Sequence, residues 1–249
     1  MNYQQVGASG VTASRVALGV MRIGGKTGDE VAEIVQTALD CGVNFFDTAD
    51  IYGAGRSSMA LGQALRDVGV PREDVVLQTK FGIFMDHELK FTTRYDCSRA
   101  HLMEALDLEL ERLQTDYVDF ALLHRPDPLV DLDELAATFA EMRASGKVRH
   151  FGVSNMGPWQ IEMLQAALGP ELRLEANQLQ FSLMHTHAIQ AELHVNMEDD
   201  ASIMHDGGVI PHARLRNMTI QAWSPFQYGT FSGCFIGDPQ FPKLNAKLD

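Results

Sequence analysis

Positive charge is scarce in this chain of 249 residues: 20 lysines and arginines stand against 33 aspartates and glutamates, a formal net charge of −13. A surface of that sign repels nucleic acid and anionic membranes, so neither is an expected partner. Phosphorylated ligands stay open, because backbone amides hold phosphate without a cationic side chain. Cysteine is scarce too. Cys41, Cys97 and Cys234 are odd in number and far apart, which argues against a disulfide framework and for a reducing compartment. No apolar run approaches the length of a membrane span, and the opening MNYQQVGASG lacks the basic start and apolar stretch of a secretory leader. The expected location is the cytoplasm. A complete G-x-G-x-x-G is also missing. GVMRIGG does not match it, and Gly53 and Gly55 in YGAGRSS lack the third glycine.

What is present is an ordinary globular composition, 45% hydrophobic and 21% charged. Short apolar runs read as strands at 15–20, 43–48, 75–80, 117–124, 148–154, 174–180 and 219–224. Between them lie punctuated helices. TGDEVAEIVQTALDCG opens with a capping box from Thr27 to Glu30, stops at Gly42, and carries Val31, Ile34, Val35, Ala38 and Leu39 on one face. SRAHLMEALDLELERLQ puts Leu102, Leu106, Leu110 and Leu113 behind a Ser98 cap. DLDELAATFAEMRASG starts on Asp131 and Glu134, and GPWQIEMLQAALG is a further helix.

Strand alternating with helix predicts an α/β fold with a parallel sheet, either open and doubly wound or closed as a (β/α)8-type barrel. YQQVGASGVTAS reads as an N-terminal hairpin that plugs a barrel floor. Seven strand segments are present, and after Ser224 a Gly- and Phe-rich loop leads to FPKLNAKLD, a helix start. The expectation is one barrel domain over 1–249, lacking the eighth βα unit, with possible self-association through the open barrel edge. The stretch 182–206 reads as an acidic, His-containing loop over one face.

In a parallel barrel, functional groups collect at the C-terminal strand ends. Asp47 closes the second strand, Lys80 the third and His124 the fourth, and Tyr52 follows the second by a few residues. An ammonium beside a tyrosine stabilises its phenolate, a carboxylate behind the lysine keeps it charged, and a histidine can hydrogen-bond a carbonyl oxygen. Such a group suits protonation of a carbonyl oxygen while hydride reaches carbon. Taken singly, each residue has a plainer reading: a solvated lysine, a helix-capping aspartate, a packing tyrosine. Their joint placement at consecutive strand ends favours chemistry, with Asp50 as scaffolding.

FDTADIYG, LQTKFG, LLHRPDP and GVSN resemble, in order and spacing, the motifs of the aldo-keto reductases, and HRPDP with WSPFQYG is similar to bacterial members. The resemblance implies a (β/α)8 barrel that reduces an aldehyde or ketone, a small-molecule carbonyl substrate, with NADPH. It places catalysis on Asp47, Tyr52, Lys80 and His124. It implies a carboxamide site at Ser154, Asn155 and Gln178, and stacking of the nicotinamide on Trp223. Ser224, Pro225, Phe226 and Gln227 would border the pyrophosphate, and Val20, Met21 and Arg22 the ribose. Family members normally continue through an eighth strand and a final helix, whose loop contacts the adenosine 2′-phosphate, so the choice of NADPH over NADH is not read from this sequence. Substrate choice is expected to lie in loops 82–97 and 182–206.

Two other functions compete. The family includes members that act mainly as binding partners, which makes a non-enzymatic nicotinamide-nucleotide-sensing or regulatory subunit the alternative; a barrel hydrolase is the weaker third. His185 and His187, with His194 and His205 nearby, lack a third metal ligand at defensible spacing, so no metal is expected. MEDD at 197–200 reads as a solvated acidic loop. Met103, Met142 and Met163 are expected as helix core residues.

Overall fold

The computed structural model describes residues 1–86, 92–203, 206–228 and 233–248. It opens with an antiparallel hairpin, β1 (Tyr3–Gln5) and β2 (Thr12–Ser14). Then follow β3 (Ala17–Gly19), α1 (Gly28–Asp40), β4 (Phe45–Asp47), α2 (Arg56–Val68) and β5 (Val76–Phe81). A second hairpin, β6 (Ile83–Asp86) and β7 (Thr92–Tyr95), leads to α3 (Arg99–Leu113) and β8 (Val118–Leu123). The chain continues through α4 (Leu132–Ala144), β9 (Val148–Ser154), α5 (Pro158–Leu168) and β10 (Leu174–Gln180). It goes on through α6 (His187–Leu193), α7 (Val209–Arg216), β11 (Thr219–Trp223) and α8 (Pro242–Asn245).

Helix starts follow local chemistry. Thr27 and Glu30 form the reciprocal capping box at α1, Ser98 Oγ accepts from His101 N at α3, and Asp131 caps α4 through the amides of Asp133 and Glu134. Sequence alone does not single out α2, whose buried face includes Ser57, Ser58, Gly62 and Ala64 beside Leu61 and Leu65. The small face has a purpose. A Cβ on Gly62 would fall 2.5 Å from the Arg112 carbonyl, so glycine lets α2 and α3 approach closely. The stretch 182–206 is not simply a loop, because it folds α6 and a 3-10 turn at Asp200–Ser202. Met163 departs from expectation as well: α5 buries Ile161, Leu164 and Leu168, and Met163 lies off that face, 60% exposed.

Seven strands form one parallel sheet in the order β11-β10-β9-β8-β5-β4-β3. In a flat sheet, β4 and β10, four positions apart, would be about 19 Å from one another. Instead Gln178 Nε2 on β10 donates to Asp47 Oδ1 on β4 at 3.2 Å. The sheet is therefore curled, as a (β/α)8-type barrel requires. Its concave face holds Phe45, Val76, Phe120, Leu122 and Ala176, packed with Val6 and Ala13 of the hairpin. A larger apolar cluster joins the convex face to the helices.

The hairpin seals the floor. Gly7 N donates to Thr219 Oγ1 at 2.7 Å and Ala8 N to Glu175 Oε2 at 2.6 Å. Gly7 has φ +55°, and a Cβ there would lie 2.5 Å from the Glu175 carbonyl, so the contact needs glycine. Among the described residues, no helix is long and apolar enough to cross a membrane.

Candidate active site

With the floor closed, the opposite mouth is where strand ends can carry function. Register fixes the first layer: Asp47 pairs with Gln78 across β4 and β5, and Ser154 and Gln221 both pair with Gln178. Alternation along β5 then puts Lys80 on the same face as Gln78, one step nearer the mouth.

Lys80 is fully buried. Its Nζ donates to Asp47 Oδ1 and Oδ2, each at 2.8 Å, and to the Thr48 carbonyl at 2.6 Å. Asp47 also accepts from Gln78 Nε2 at 2.7 Å, and Gln78 and Gln178 both donate to Gln221 Oε1, at 2.8 and 3.1 Å. The carboxylate is thus held by one ammonium and two amides. Burial opposes the charge on Lys80, but the Asp47 charge and hydrogen bonds outweigh it, and the net pKa moves upward.

Tyr52 lies on the turn after β4, with Lys80 Nζ 5.0 Å from its ring centroid and the His124 ring edge-on at 5.7 Å. Burial raises its pKa above 10, while Lys80 works in the opposite direction. The lysine has the expected sign, yet burial wins, and the resting group is a phenol. His124 is pushed well below the usual histidine range by burial and then by the Lys80 and Arg125 charges. It is a neutral imidazole whose Nδ1 is buried without a partner.

Beside this cluster lies a second polar group. Asn155, at φ +57°, donates to Ser154 Oγ at 2.7 Å and accepts from Trp223 Nε1 at 3.1 Å. Ser154 Oγ donates to the Gln178 carbonyl at 3.0 Å. Arg125, Asn155, Gln180 and Trp223 line a cavity of about 580 Å³ between the strand ends and the starts of α5 and α7. Ser224, at φ +52°, Pro225 and Phe226 continue from Trp223, and Gln227 Oε1 is buried without a partner. Val20 is buried with its amide on the Asp47 carbonyl, whereas Met21 and Arg22 face solvent. His185 and His187 meet edge to face at 5.0 Å, His194 bonds Asp199 at 2.8 Å, and His205 lies outside the described residues.

Several partners are not singled out by sequence. Behind the cluster, Glu109 is fully buried and accepts from Ser58 Oγ at 2.8 Å, Thr79 Oγ1 at 2.7 Å and Arg112 Nη1 at 3.1 Å. Ser58 Oγ lies 2.9 Å from Thr48 Oγ1, and Arg112 also donates to the Asp50 carbonyl at 3.1 Å. Asp50 itself is buried with one unpartnered oxygen, and burial followed by the Glu109 charge pushes its pKa up to about 8. A carboxylate within the leucine stripe of α3 is the signal that would have found Glu109.

The barrel mouth thus gathers a phenol, an ammonium–carboxylate pair and a neutral imidazole, groups able to exchange a proton. A family model described as "Aldo/keto reductase family" matches residues 15–247, and the chain belongs to that family, whose members oxidise and reduce carbonyl compounds with nicotinamide cofactors. It is 31% identical to a 6-dehydroglucose reductase of Agrobacterium fabrum, over 90% of this chain and 72% of that one. A 6-dehydroglucose reductase of Novosphingobium aromaticivorans is 34% identical, over 99% of this chain and 74% of its own. The holo form of an aldo-keto reductase from Bacillus halodurans superposes with a TM-score of 0.71 at 26% identity, covering 88% of this chain and 65% of that one.

Proposed function

We propose that the chain reduces an aldehyde or ketone to an alcohol with NADPH, and that Tyr52 delivers the proton. The observation that carries this reading is Lys80, held between Asp47 and Tyr52 with its charge intact. The residues around the mouth suit a nicotinamide cofactor. Trp223 offers an aromatic face on the cavity, Ser154, Asn155 and Gln178 supply a hydroxyl and two amides, and Gln227 Oε1 is a buried acceptor lacking a donor. Ser224 to Gln227 would border the pyrophosphate, and Val20, Met21 and Arg22 the ribose. To hold the carboxamide, Asn155 and Gln178 would exchange hydrogen bonds they now make with Trp223, Asp47 and Gln221.

When bound, NADPH supplies the hydride that reaches the carbonyl carbon. The Tyr52 phenol hydrogen-bonds the carbonyl oxygen and passes its proton to it, leaving a phenolate that solvent reprotonates. Lys80 stabilises that phenolate at the moment it forms. Asp47 keeps Lys80 charged and aimed. His124, being neutral, offers an N–H to the same oxygen without adding a second positive charge. The test is loss of the NADPH absorbance in the near ultraviolet on adding reactive aldehydes to purified protein. Cofactor binding with no turnover across a broad carbonyl panel would replace the reductase with a nucleotide-sensing subunit.

A further inference from the structure

We propose that Arg125 reads an oxyanion, a carboxylate or phosphate, carried a few bonds from the carbonyl, so that the substrate class is a short anionic aldehyde or ketone. The inference rests on the reading of the mouth as a carbonyl reductase site and names which carbonyls it takes.

Among the described residues, Arg125 is the one arginine or lysine that is partly buried and yet makes neither a hydrogen bond nor an ion pair. The other unpaired cations, Arg15, Arg22, Arg56, Arg214, Lys243 and Lys247, are exposed and solvated. The chain has 33 acidic residues, so a partner was not hard to supply. The nearest in sequence, Asp127, forms no ion pair with Arg125, and its Oδ1 accepts instead from Leu129 N at 2.9 Å. Asp206 and His185 also line the cavity, but Asp206 is exposed and forms no ion pair with Arg125. A guanidinium partly withdrawn from water and left unpaired is unfavourable until an anion meets it.

Position gives the anion its meaning. Arg125 follows His124 in the chain and shares the 580 Å³ cavity with Asn155 and Trp223. Its charge is felt at both Tyr52 and His124. A carbonyl oxygen held by those two therefore leaves Arg125 facing the next few atoms of the substrate. The planar fork of arginine matches the two oxygens of a carboxylate or phosphate, a geometry a neutral chain cannot satisfy. Because Arg125 supports no other side chain, replacing it leaves no buried partner stranded, and variants should fold.

The experiment measures kcat/KM with NADPH for two pairs: succinic semialdehyde against butyraldehyde, and glyceraldehyde phosphate against glyceraldehyde. We expect an anionic member to exceed its neutral partner by about tenfold or more, the worth of a charge-assisted hydrogen bond. Arg125→Gln should collapse that ratio and Arg125→Lys restore part of it; which pair shows the effect identifies carboxylate or phosphate. Equal kcat/KM within both pairs, or equal losses for both members in Arg125→Gln, overturns the proposal. If the parent protein reduces nothing, the reductase reading falls by itself. Calorimetric titration with succinate and with inorganic phosphate then judges Arg125: saturable heat lost in Arg125→Gln upholds the oxyanion site, and no heat in either protein overturns it.

Discussion

Lys80 Nζ is equidistant from the two carboxylate oxygens of Asp47, 2.8 Å from each, and its third proton goes to the Thr48 carbonyl. An ammonium held at three points keeps its charge in a buried site, and it lies against the ring of Tyr52. Removing it separates chemistry from folding. Asp47 retains two amide donors and 14% side-chain exposure, so its charge is not stranded. Lys80→Met should therefore cost about 3 kcal/mol or less, the lower edge of what breaking a buried pair costs. Carbonyl reduction should fall far more steeply. Denaturant titration beside steady-state kinetics decides it: a large stability loss with modest kinetic loss would make the pair structural.

Tyr52→Phe removes the proton and keeps the ring that packs on His124. We expect a loss of about 10²–10⁴ in the rate of carbonyl reduction, with NADPH affinity unchanged. A variant within twofold of the parent would falsify the assignment.

The pH profile follows from two opposite shifts. Burial holds Tyr52 protonated beyond its ordinary range and holds His124 neutral well below its own. Reduction should therefore be flat between about pH 6.5 and 9 and fall only as the phenol ionises, above about pH 10. A limb titrating near neutrality would show that one of the two groups is not buried as described.

Asp50 yields a stability prediction of opposite sign to most carboxylates. Its folded pKa, about 8, lies above its ordinary value of 3.8. The folded state then binds the proton more tightly, so this contribution is full below the unfolded pKa and is lost as pH rises through the folded one. Between those values the slope is at most about 1.4 kcal/mol per pH unit. Asp50→Asn, which cannot ionise, should gain stability over the parent as pH rises from 4 to 8. Parallel unfolding curves for the two proteins across that range would refute the buried acid.

Both tryptophans, Trp159 and Trp223, line the same cavity, so their fluorescence reports where the nicotinamide stacks. Trp159 is 79% exposed on α5, whereas Trp223 is tied to Asn155. Added NADPH should quench emission, Trp223→Phe should abolish most of the quenching, and Trp159→Phe should keep it. The reverse pattern moves the nicotinamide towards α5.

Strand ends were legible because parity and register are short-range properties. Asp47 and Lys80 close consecutive strands of the barrel wall, and the apolar runs that carry them leave little freedom in which way they face. The same parity joins Gln78 to Lys80 and Gln221 to Trp223, so the amides around Asp47 could have been found from the sequence. Nothing local reveals that Gln178 reaches across the barrel to Asp47, 131 residues away, because that contact exists only once the sheet has curled. The pairing of Glu109 with Ser58 was hidden for the same reason. They bond each other across 51 residues, and although the place of Glu109 in the leucine stripe marks it as buried, nothing local names Ser58 as its partner. The resting phenol of Tyr52 escaped because burial, the larger effect, is a property of the assembled mouth.

The sealed floor has a consequence for how the chain is made. Gly7 is held by Thr219, 212 residues further on. At ribosomal speeds of about 5–20 residues per second, Thr219 is added roughly 10–40 s after Gly7. Until then the hairpin has no complete seat, and the apolar concave face of the growing sheet stays open to water. Seating of the hairpin therefore waits on the synthesis of β11, and a chaperone guarding the nascent chain would have to shield the concave face until that strand is made.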